Sequence, residues 1–361
     1  MLPFVVEPNA NPSPADVRDA ALADPGFGKL FTDHMVVVRY DEALGGWCDA
    51  RVTARAPIPM DPASSVLHYA QEIFEGMKAY KRADGSTVLF RPDANARRFQ
   101  ESAARMAMPA VPHDLFIESV EQLVRIDSAW FPKVDGGALY LRPFMFASEV
   151  FLGVRPAKQY LFITIASPVG AYFKGGSAPV TIWVSQHYTR AAPGGTGAAK
   201  CGGNYAASLV AQAEATAQGC DQVVFLDATE RKWVEELGGM NLFFVFADGS
   251  ITTPPLTGTI LPGITRNSII QLARAQGITV REEPYAIDQW RADATSGALR
   301  ETFACGTAAV VTPVGTVKSP DGSFTIGGNQ SGPVTAALRS ALVSIQRGDA
   351  ADLNNWVHRI G

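Results

Sequence analysis

The sequence predicts a mixed α/β (α+β) protein built from two domains, and three observations carry that reading. The chain has 361 residues, and at roughly 100–200 residues per domain two is the default count. Apolar residues make up 47% and charged residues 18%, an ordinary globular composition with ample material for cores. Strand-like and helical segments intermix without a steady βαβ rhythm, which argues for mixed sheets rather than a doubly wound parallel one.

Taken in order, residues 1–30 are rich in Pro, Asn, Asp and Gly and read as an N-terminal arm on the surface. MVVVRY (35–40) has strand character. ASSVLHYAQEIFEG reads as helical and TVLFRP (87–92) as a strand. In DANARRFQESAARMAM, Ala94, Phe99, Ala103 and Met106 can share a helix face, with Asp93 as the N-cap. LFIESVEQLVRIDSAWF is amphipathic, with Phe116, Val120, Leu123 and Val124 apolar. ALYLRPFMF and YLFITIA are strands, and alternation puts Tyr140, Arg142 and Phe144 on one side of the first. PVGAYFKGGSAP (168–179) is dense in Gly and Pro and marks the domain boundary. Beyond it VTIWVS, QVVFLD and LFFVFA are strands. Helices are expected over 205–218 and 265–276, closed by Gly219 and Gly277, and over 333–347. The division is therefore an arm at 1–30, a small α/β domain at 31–169, an interdomain loop at 170–180 and a large domain at 181–361.

Composition excludes several function classes. The net charge is −4 and no Lys/Arg block occurs, so no nucleic-acid partner is expected. No apolar run reaches the ~18 residues of a membrane span; the best stretch, Tyr160 to Phe173, is broken by Pro168 and Gly170. The start, MLPFVVEPNANPSP, lacks a basic n-region and a cleavage signature. Cys48, Cys201, Cys220 and Cys305 are widely spaced and form no C-x-x-C pair, which fits a reducing, cytoplasmic home. Histidines at 34, 68, 113, 187 and 358 have no metal-ligand spacing, so no catalytic metal is expected. There is no G-x-S-x-G nucleophile elbow.

The most informative stretch is AAPGGTGAAKCGGNYAASL. Lys200 lies among Ala198, Ala199 and Cys201 with glycines on both sides, a close and partly dry setting. Such a setting lowers an amine's pKa and makes it a nucleophile toward aldehydes, and the small neighbours leave room for a flat cofactor. A phosphate-binding P-loop would need Gly directly before the lysine and a hydroxyl after it; Ala199 and Cys201 stand there instead.

A lysine of this kind directs attention to pyridoxal phosphate, which also requires an anion cup, a carboxylate for the ring nitrogen and cover for the ring faces. LPGITRNSIIQLA offers the cup, since a helix starting near Thr265 presents backbone N–H groups to phosphate. Arg98 and Thr307 offer a guanidinium and a hydroxyl. Glu235 and Glu236 in WVEELGGMNLFFV are both carboxylate candidates, and on a strand adjacent residues face opposite ways. Arg142, one strand step from Tyr140, suggests an anion to meet.

These motifs together resemble the branched-chain amino-acid aminotransferases, of the D-amino-acid-aminotransferase-like fold type of pyridoxal-phosphate enzymes. The resemblance runs from about Phe27 to near the C-terminus. FGKLFTDHM, SSVLHYAQEIFEGMKAY, LFRPDANARRF, LYLRPF, PVGAYFKGG, AAKCGGNYAASL, EELGGMNLF, LPGITRNS and GTAAVVTPV occur in family order. It implies a two-domain fold with the cofactor at the domain interface and 181–361 as the large cofactor-binding domain. It also implies transamination of L-leucine, L-isoleucine and L-valine with 2-oxoglutarate, giving branched-chain 2-oxo acids and L-glutamate. By the same resemblance Lys200 matches the lysine that carries the cofactor as a Schiff base. Tyr205 matches the tyrosine on its phenolic oxygen, Arg98 the phosphate arginine, and Glu236 rather than Glu235 the carboxylate on the ring nitrogen. Ile264 and Thr265 match the backbone phosphate cup and Thr307 its hydroxyl contact. Tyr69, Thr307 and Ala308 match positions holding the substrate carboxylate, and Phe27, Phe74, Tyr140, Arg142 and Tyr172 the side-chain pocket. The family borrows residues near Tyr69 from a second subunit, which implies a homodimer with a shared active site. Two departures stand out. Ala309 and Thr312 occupy the positions of a redox C-x-x-C pair found in certain animal members, and Gly239 replaces a pocket threonine.

Overall fold

In a computed structural model that describes every residue except Met1, Asp135 and 171–177, the chain divides into two compact units. The first comprises Met1–Tyr172, Ala199–Gly202 and Ile345–Gly361, the second Phe173–Ala198 and Gly203–Ser344. The strands through the first stretch are β1 (Val5–Val6), β2 (His34–Asp41), β3 (Gly46–Ala54), β4 (Glu72–Phe74), β5 (Met77–Lys81), β6 (Thr87–Phe90), β7 (Ala138–Ala147) and β8 (Gln159–Val169). The helices there are α1 (Ala15–Leu22), α2 (Val66–Tyr69), α3 (Pro92–Arg105) and α4 (His113–Ile126). Later strands are β9 (Val180–Ser185), β10 (Gln222–Leu226), β11 (Val234–Leu237), β12 (Asn241–Phe246), β13 (Ile251–Thr253), β14 (Val280–Glu282), β15 (Leu299–Gly306), β16 (Val310–Ser319), β17 (Gly322–Thr325) and β18 (Val357–Ile360). Later helices are α5 (Gly202–Ala206), α6 (Leu209–Ala217), α7 (Ile264–Ala275), α8 (Ile287–Ser296) and α9 (Pro333–Arg347).

The first unit's sheet has the order β1-β3-β2-β8-β7-β5-β6-β18, with β4 paired to β7. Leu139, Leu141 and Met145 of β7 are buried, while Tyr140, Arg142 and Phe144 alternate with them on the other face. α4 buries Leu115, Phe116, Val120, Leu123 and Val124, a 3.6-period stripe. That stripe meets α3 and β8 through three rings, Phe99, Phe116 and Phe162, whose centroids lie 5.4–5.9 Å apart. Each such side chain contributes about 1.5–3 kcal/mol on burial.

In the second unit β11 pairs with both β10 and β12, so β11-β10-β9-β16-β15-β12 close into a ring of six strands. β9 runs parallel to both β10 and β16. Ile182, Val184, Val224, Leu237, Leu242, Phe244 and Ala304 of these strands are buried in one core.

Several expectations are corrected. ASSVLHYAQEIFEG is helical only over Val66–Tyr69. Ala70 takes a left-handed φ of 48° and caps that single turn, and Glu72–Phe74 then pairs with β7. Sheet pairing outweighs the helical spacing there. α3 is entered through Arg91, itself left-handed, with Pro92 as the first helical residue; Asp93 sits in the first turn rather than at the N-cap. The helix expected over 205–218 is two helices, α5 and α6. The C-terminal residues 345–361, read as part of the large domain, belong to the first unit, because β18 forms an antiparallel ladder with β6. Residues 199–202 likewise join the first unit.

Candidate active site

Within the first unit, Lys200 is held by its backbone. Its N–H donates to Ser102 Oγ at 2.9 Å, and its carbonyl accepts the N–H of Phe74 at 2.9 Å. The N–H of Gly202 donates to Glu72. The flanking Ala199 and Cys201 are buried. The Lys200 Nζ lies 4.8 Å from the Phe74 ring centroid, so the amine has an aromatic floor and small, buried neighbours.

Phe74 faces Phe144 across the β4–β7 ladder. The Arg142 guanidinium, one strand step from Phe144, stacks 4.7 Å from the Phe74 centroid and 5.4 Å from that of Tyr140. Its Nη2 donates to the Tyr140 hydroxyl at 3.1 Å, and its Nε is buried with no hydrogen-bond partner among the described residues. Phe27 packs edge-on against Tyr140 at 5.1 Å. Gly76 is required beside them, since a Cβ there would come within 2.1 Å of the Tyr140 hydroxyl. The structure thus gathers Phe27, Arg142 and Lys200 around the rings of Phe74 and Tyr140. Tyr69 lies apart, on exposed α2. Tyr172 lies outside the described residues.

Arg98 is buried on α3 and engages Glu75 with two parallel bonds, Nε–Oε1 at 2.7 Å and Nη2–Oε2 at 2.8 Å. Glu75 also accepts from Asn95 Nδ2 at 2.7 Å and from the Gly76 N–H at 3.0 Å. Burial pushes the Glu75 carboxyl upward, but the charge and hydrogen bonds of Arg98, the charge of Lys200 and the Asn95 bond outweigh it. The carboxyl ends below its ordinary range.

The second unit gathers the other candidates. Glu236 and Arg190 form a buried ion pair at 2.9 Å, each side chain 3% exposed. Glu236 also accepts the Leu261 N–H at 3.0 Å. Asn241 bonds the Leu261 carbonyl at 3.1 Å, and a Cβ on Gly263 would press to 2.0 Å from Asn241 Oδ1. Gly263 then opens α7 as its N-cap, so Ile264 and Thr265 form the first turn. Gly263 brings no side chain to that turn, and the helix dipole favours an anion there. Thr307 and Ala308 lie in the three-residue turn between β15 and β16. Val310 closes that turn at φ 64°, a left-handed conformation that costs a β-branched residue on the order of 1–3 kcal/mol. At the same end, Gly306 faces Met240 and the Gly239 carbonyl, and Gly239 faces the Tyr205 ring. Tyr205, Glu236, Gly239, Ile264, Thr265, Thr307 and Ala308 are therefore all carried by this unit. Glu235, the other candidate, is also buried but points to Thr259, and burial raises its carboxyl above the ordinary range.

Sequence reasoning did not single out Glu72, Glu75, Ser102, Arg190 or Asn241. The one local signal was an acidic residue set between Phe74 and Gly76 in an otherwise apolar run. Among the described residues no His/Cys/Asp/Glu group is arranged to hold a metal. Each unit carries groups of the kind pyridoxal phosphate needs: the first an amine over an aromatic ring and a buried guanidinium, the second a buried carboxylate paired with a guanidinium and a glycine-capped helix start.

Comparison with known proteins agrees. The family model of class IV amino-transferases matches residues 72–317. The branched-chain-amino-acid aminotransferase of Mycolicibacterium smegmatis is 56% identical, over 99% of this chain and 98% of that protein. The branched-chain-amino-acid transaminase 1 of Bacillus subtilis is 47% identical, over 92% of this chain and 93% of that protein. Among solved structures, the Escherichia coli branched-chain amino acid aminotransferase superposes with a TM-score of 0.72 at 32% identity, covering 84% of this chain and 94% of that one. The T.th. branched-chain amino acid aminotransferase solved with pyridoxamine 5'-phosphate gives 0.75 at 28% identity, covering 90% and 98%. Class IV aminotransferases are pyridoxal-phosphate enzymes, and this chain shares their mixed α/β fold. A half-buried amine, its aromatic floor and the near-complete overlap with these relatives converge on one result: the chain belongs to the branched-chain amino-acid aminotransferase family of class IV aminotransferases.

Proposed function

We propose that the protein transfers the amino group of L-leucine, L-isoleucine and L-valine to 2-oxoglutarate, giving the branched-chain 2-oxo acids and L-glutamate, reversibly. The observation that carries this is the Phe74 ring, against which both the Lys200 amine and the Arg142 guanidinium sit. A reactive amine, an apolar wall and a cation meet there, as a pocket for both an aliphatic and a carboxylate side chain requires.

When bound, the cofactor supplies an electron sink beside the substrate Cα. Lys200 Nζ would hold the cofactor's aldehyde, and the same amine, when free, would take and return a proton at the substrate Cα. Glu236 would face the ring nitrogen, and Arg190 pairs with its carboxylate. Tyr205 would meet the phenolic oxygen, and Arg98, the backbone of Ile264 and Thr265 and the Thr307 hydroxyl would hold the phosphate. Tyr69, Thr307 and Ala308 hold the substrate carboxylate. By the family resemblance Phe27, Phe74, Tyr140 and Gly239, with Tyr172 outside the described residues, match the side-chain pocket, and apolar walls would accept all three aliphatic substrates, because a methylene is worth only about 1–3 kcal/mol. Arg142 would receive the distal carboxylate of the dicarboxylic substrate, and its buried Nε, without a hydrogen-bond partner among the described residues, supports that role.

The direct test is a visible absorbance spectrum of the purified holoprotein before and after L-leucine. The band should disappear as 4-methyl-2-oxopentanoate forms. Parallel assays with D-alanine and aminodeoxychorismate separate this activity from others known on the same fold. Arg142→Met should raise the KM for 2-oxoglutarate by about 10- to 100-fold, the value of a lost charge-assisted hydrogen bond. The half-reaction with L-leucine should persist, as stopped-flow absorbance would show.

The pocket is completed in a homodimer. α2 exposes Leu67 and Tyr69, and residues 150–154 expose Val150, Leu152 and Val154. Ser64 bridges to Val150 and Phe151 bonds Ala63, so these form one apolar patch. Leu152→Asp with Val154→Asp should shift sedimentation from dimer to monomer and remove activity. Four free cysteines fit a reducing, cytoplasmic setting. Among the described residues no helix is long and apolar enough to cross a membrane.

A further inference from the structure

The face that carries Phe74 and Arg142 also carries a carboxylate, Glu72. It lies two residues from Phe74 on β4, hence on the same side of the strand, and opposes Phe146 in the ladder with β7. Phe146, Phe144 and Arg142 follow at two-residue steps on β7, so Glu72 and Arg142 look out from the same side of adjacent strands. Glu72 accepts the N–H of Gly202, two residues beyond Lys200, and a Cβ on Gly202 would collide with it. Burial drives the Glu72 carboxyl above its ordinary range, while the Gly202 bond and the charge of Arg142 oppose that shift. The two side chains make no ion pair with each other among the described residues, yet the charge of Arg142 acts on Glu72.

This arrangement bears on a difficulty that the dual-substrate reading creates. A lone cation in an apolar pocket favours a dicarboxylate strongly and disfavours an aliphatic side chain, which leaves the cation without a counter-charge. A nearby carboxylate offsets that cation when an aliphatic group is bound. It repels the distal carboxylate when a dicarboxylate is bound.

We propose that Glu72 is a specificity-determining residue for the reaction, holding down the affinity for dicarboxylate substrates relative to branched aliphatic ones by partly neutralising Arg142. The proposal rests on the reading of Arg142 as the site of the 2-oxoglutarate distal carboxylate.

Glu72→Gln removes the charge but keeps side-chain length and an acceptor for the Gly202 N–H. Titration of the holoenzyme with glutarate and with 4-methylpentanoate, read by visible absorbance, measures the two side-chain classes without turnover. In the variant, glutarate should bind roughly fivefold tighter and 4-methylpentanoate no tighter. The KM for 2-oxoglutarate should fall alongside, with no matching fall in the KM for L-leucine. Equal changes for both ligands, or none for either, overturn the proposal, since a purely structural role at Gly202 moves both together. Glu72→Ser makes the same charge change with a smaller side chain and serves if the glutamine variant does not fold. Arg142→Met is the separate control. If it leaves glutarate affinity intact, or if the wild type does not turn over 2-oxoglutarate, the reading of Arg142 fails whatever Glu72 does.

Discussion

Lys200→Ala should reduce turnover by about 10⁴-fold or more, the upper end of what a positioned general base contributes, because the same nitrogen also carries the covalent attachment. Borohydride reduction of the wild-type holoprotein, followed by peptide mass mapping, should place the reduced cofactor on the peptide containing Lys200. The variant should lack that adduct and the visible band. Its fold should survive, since the bonds that seat this segment come from the backbone: the N–H to Ser102, the carbonyl from Phe74 and the Gly202 N–H to Glu72. An adduct at another lysine, or turnover retained without added amines, would refute the assignment.

Glu75→Ala should be the most damaging change to stability in the first unit. It removes the carboxylate whose two oxygens take bonds from the buried Arg98 guanidinium. Breaking a buried pair by removing one partner costs about 3–5 kcal/mol. Adding Arg98→Met should recover part of that loss, because removing the guanidinium removes the uncompensated buried charge. Urea unfolding followed by tryptophan fluorescence measures both. Yet the double variant should bind the cofactor poorly, since the guanidinium assigned to the phosphate is gone. The pair also predicts a pH dependence. The Glu75 carboxyl is depressed in the folded protein, so its contribution is fully present above the unfolded value of about 4.3. It is lost as the pH falls through the lower folded value. Wild type should therefore lose stability on acidification more steeply than the double variant. Equal stability of Glu75→Ala and wild type would contradict the pair's role.

Much of the fold was legible because its signals are local. The β7 strand shows its two faces in the alternation of Leu139, Leu141 and Met145 with Tyr140, Arg142 and Phe144. α4 shows its buried stripe at 3.6-residue spacing, and Gly219 and Gly277 mark helix ends at positive φ. The errors also have local causes. ASSVLHYAQEIFEG has helical spacing, but Glu72–Phe74 has an open ladder on β7 to join, and cross-strand bonds outweigh weak helix propensity. Lys200 was legible from its small neighbours. Glu236 was separated from Glu235 only by resemblance, since both lie on one apolar strand and both are buried.

The sequence by itself determined where most strands and helices run, which lysine can be reactive, and to which family the chain belongs. Each of these is written in neighbours a few residues apart or in motifs kept in order. Only the tertiary structure decided that Arg98 answers to Glu75, that Arg190 holds Glu236, that Ser102 seats Lys200 and that β18 completes the first sheet. The Lys200–Ser102 bond spans 98 residues and the Arg98–Glu75 pair 23. Hydrogen bonds and ion pairs over such separations are set by which strands and helices pack together, and no local period or propensity encodes them.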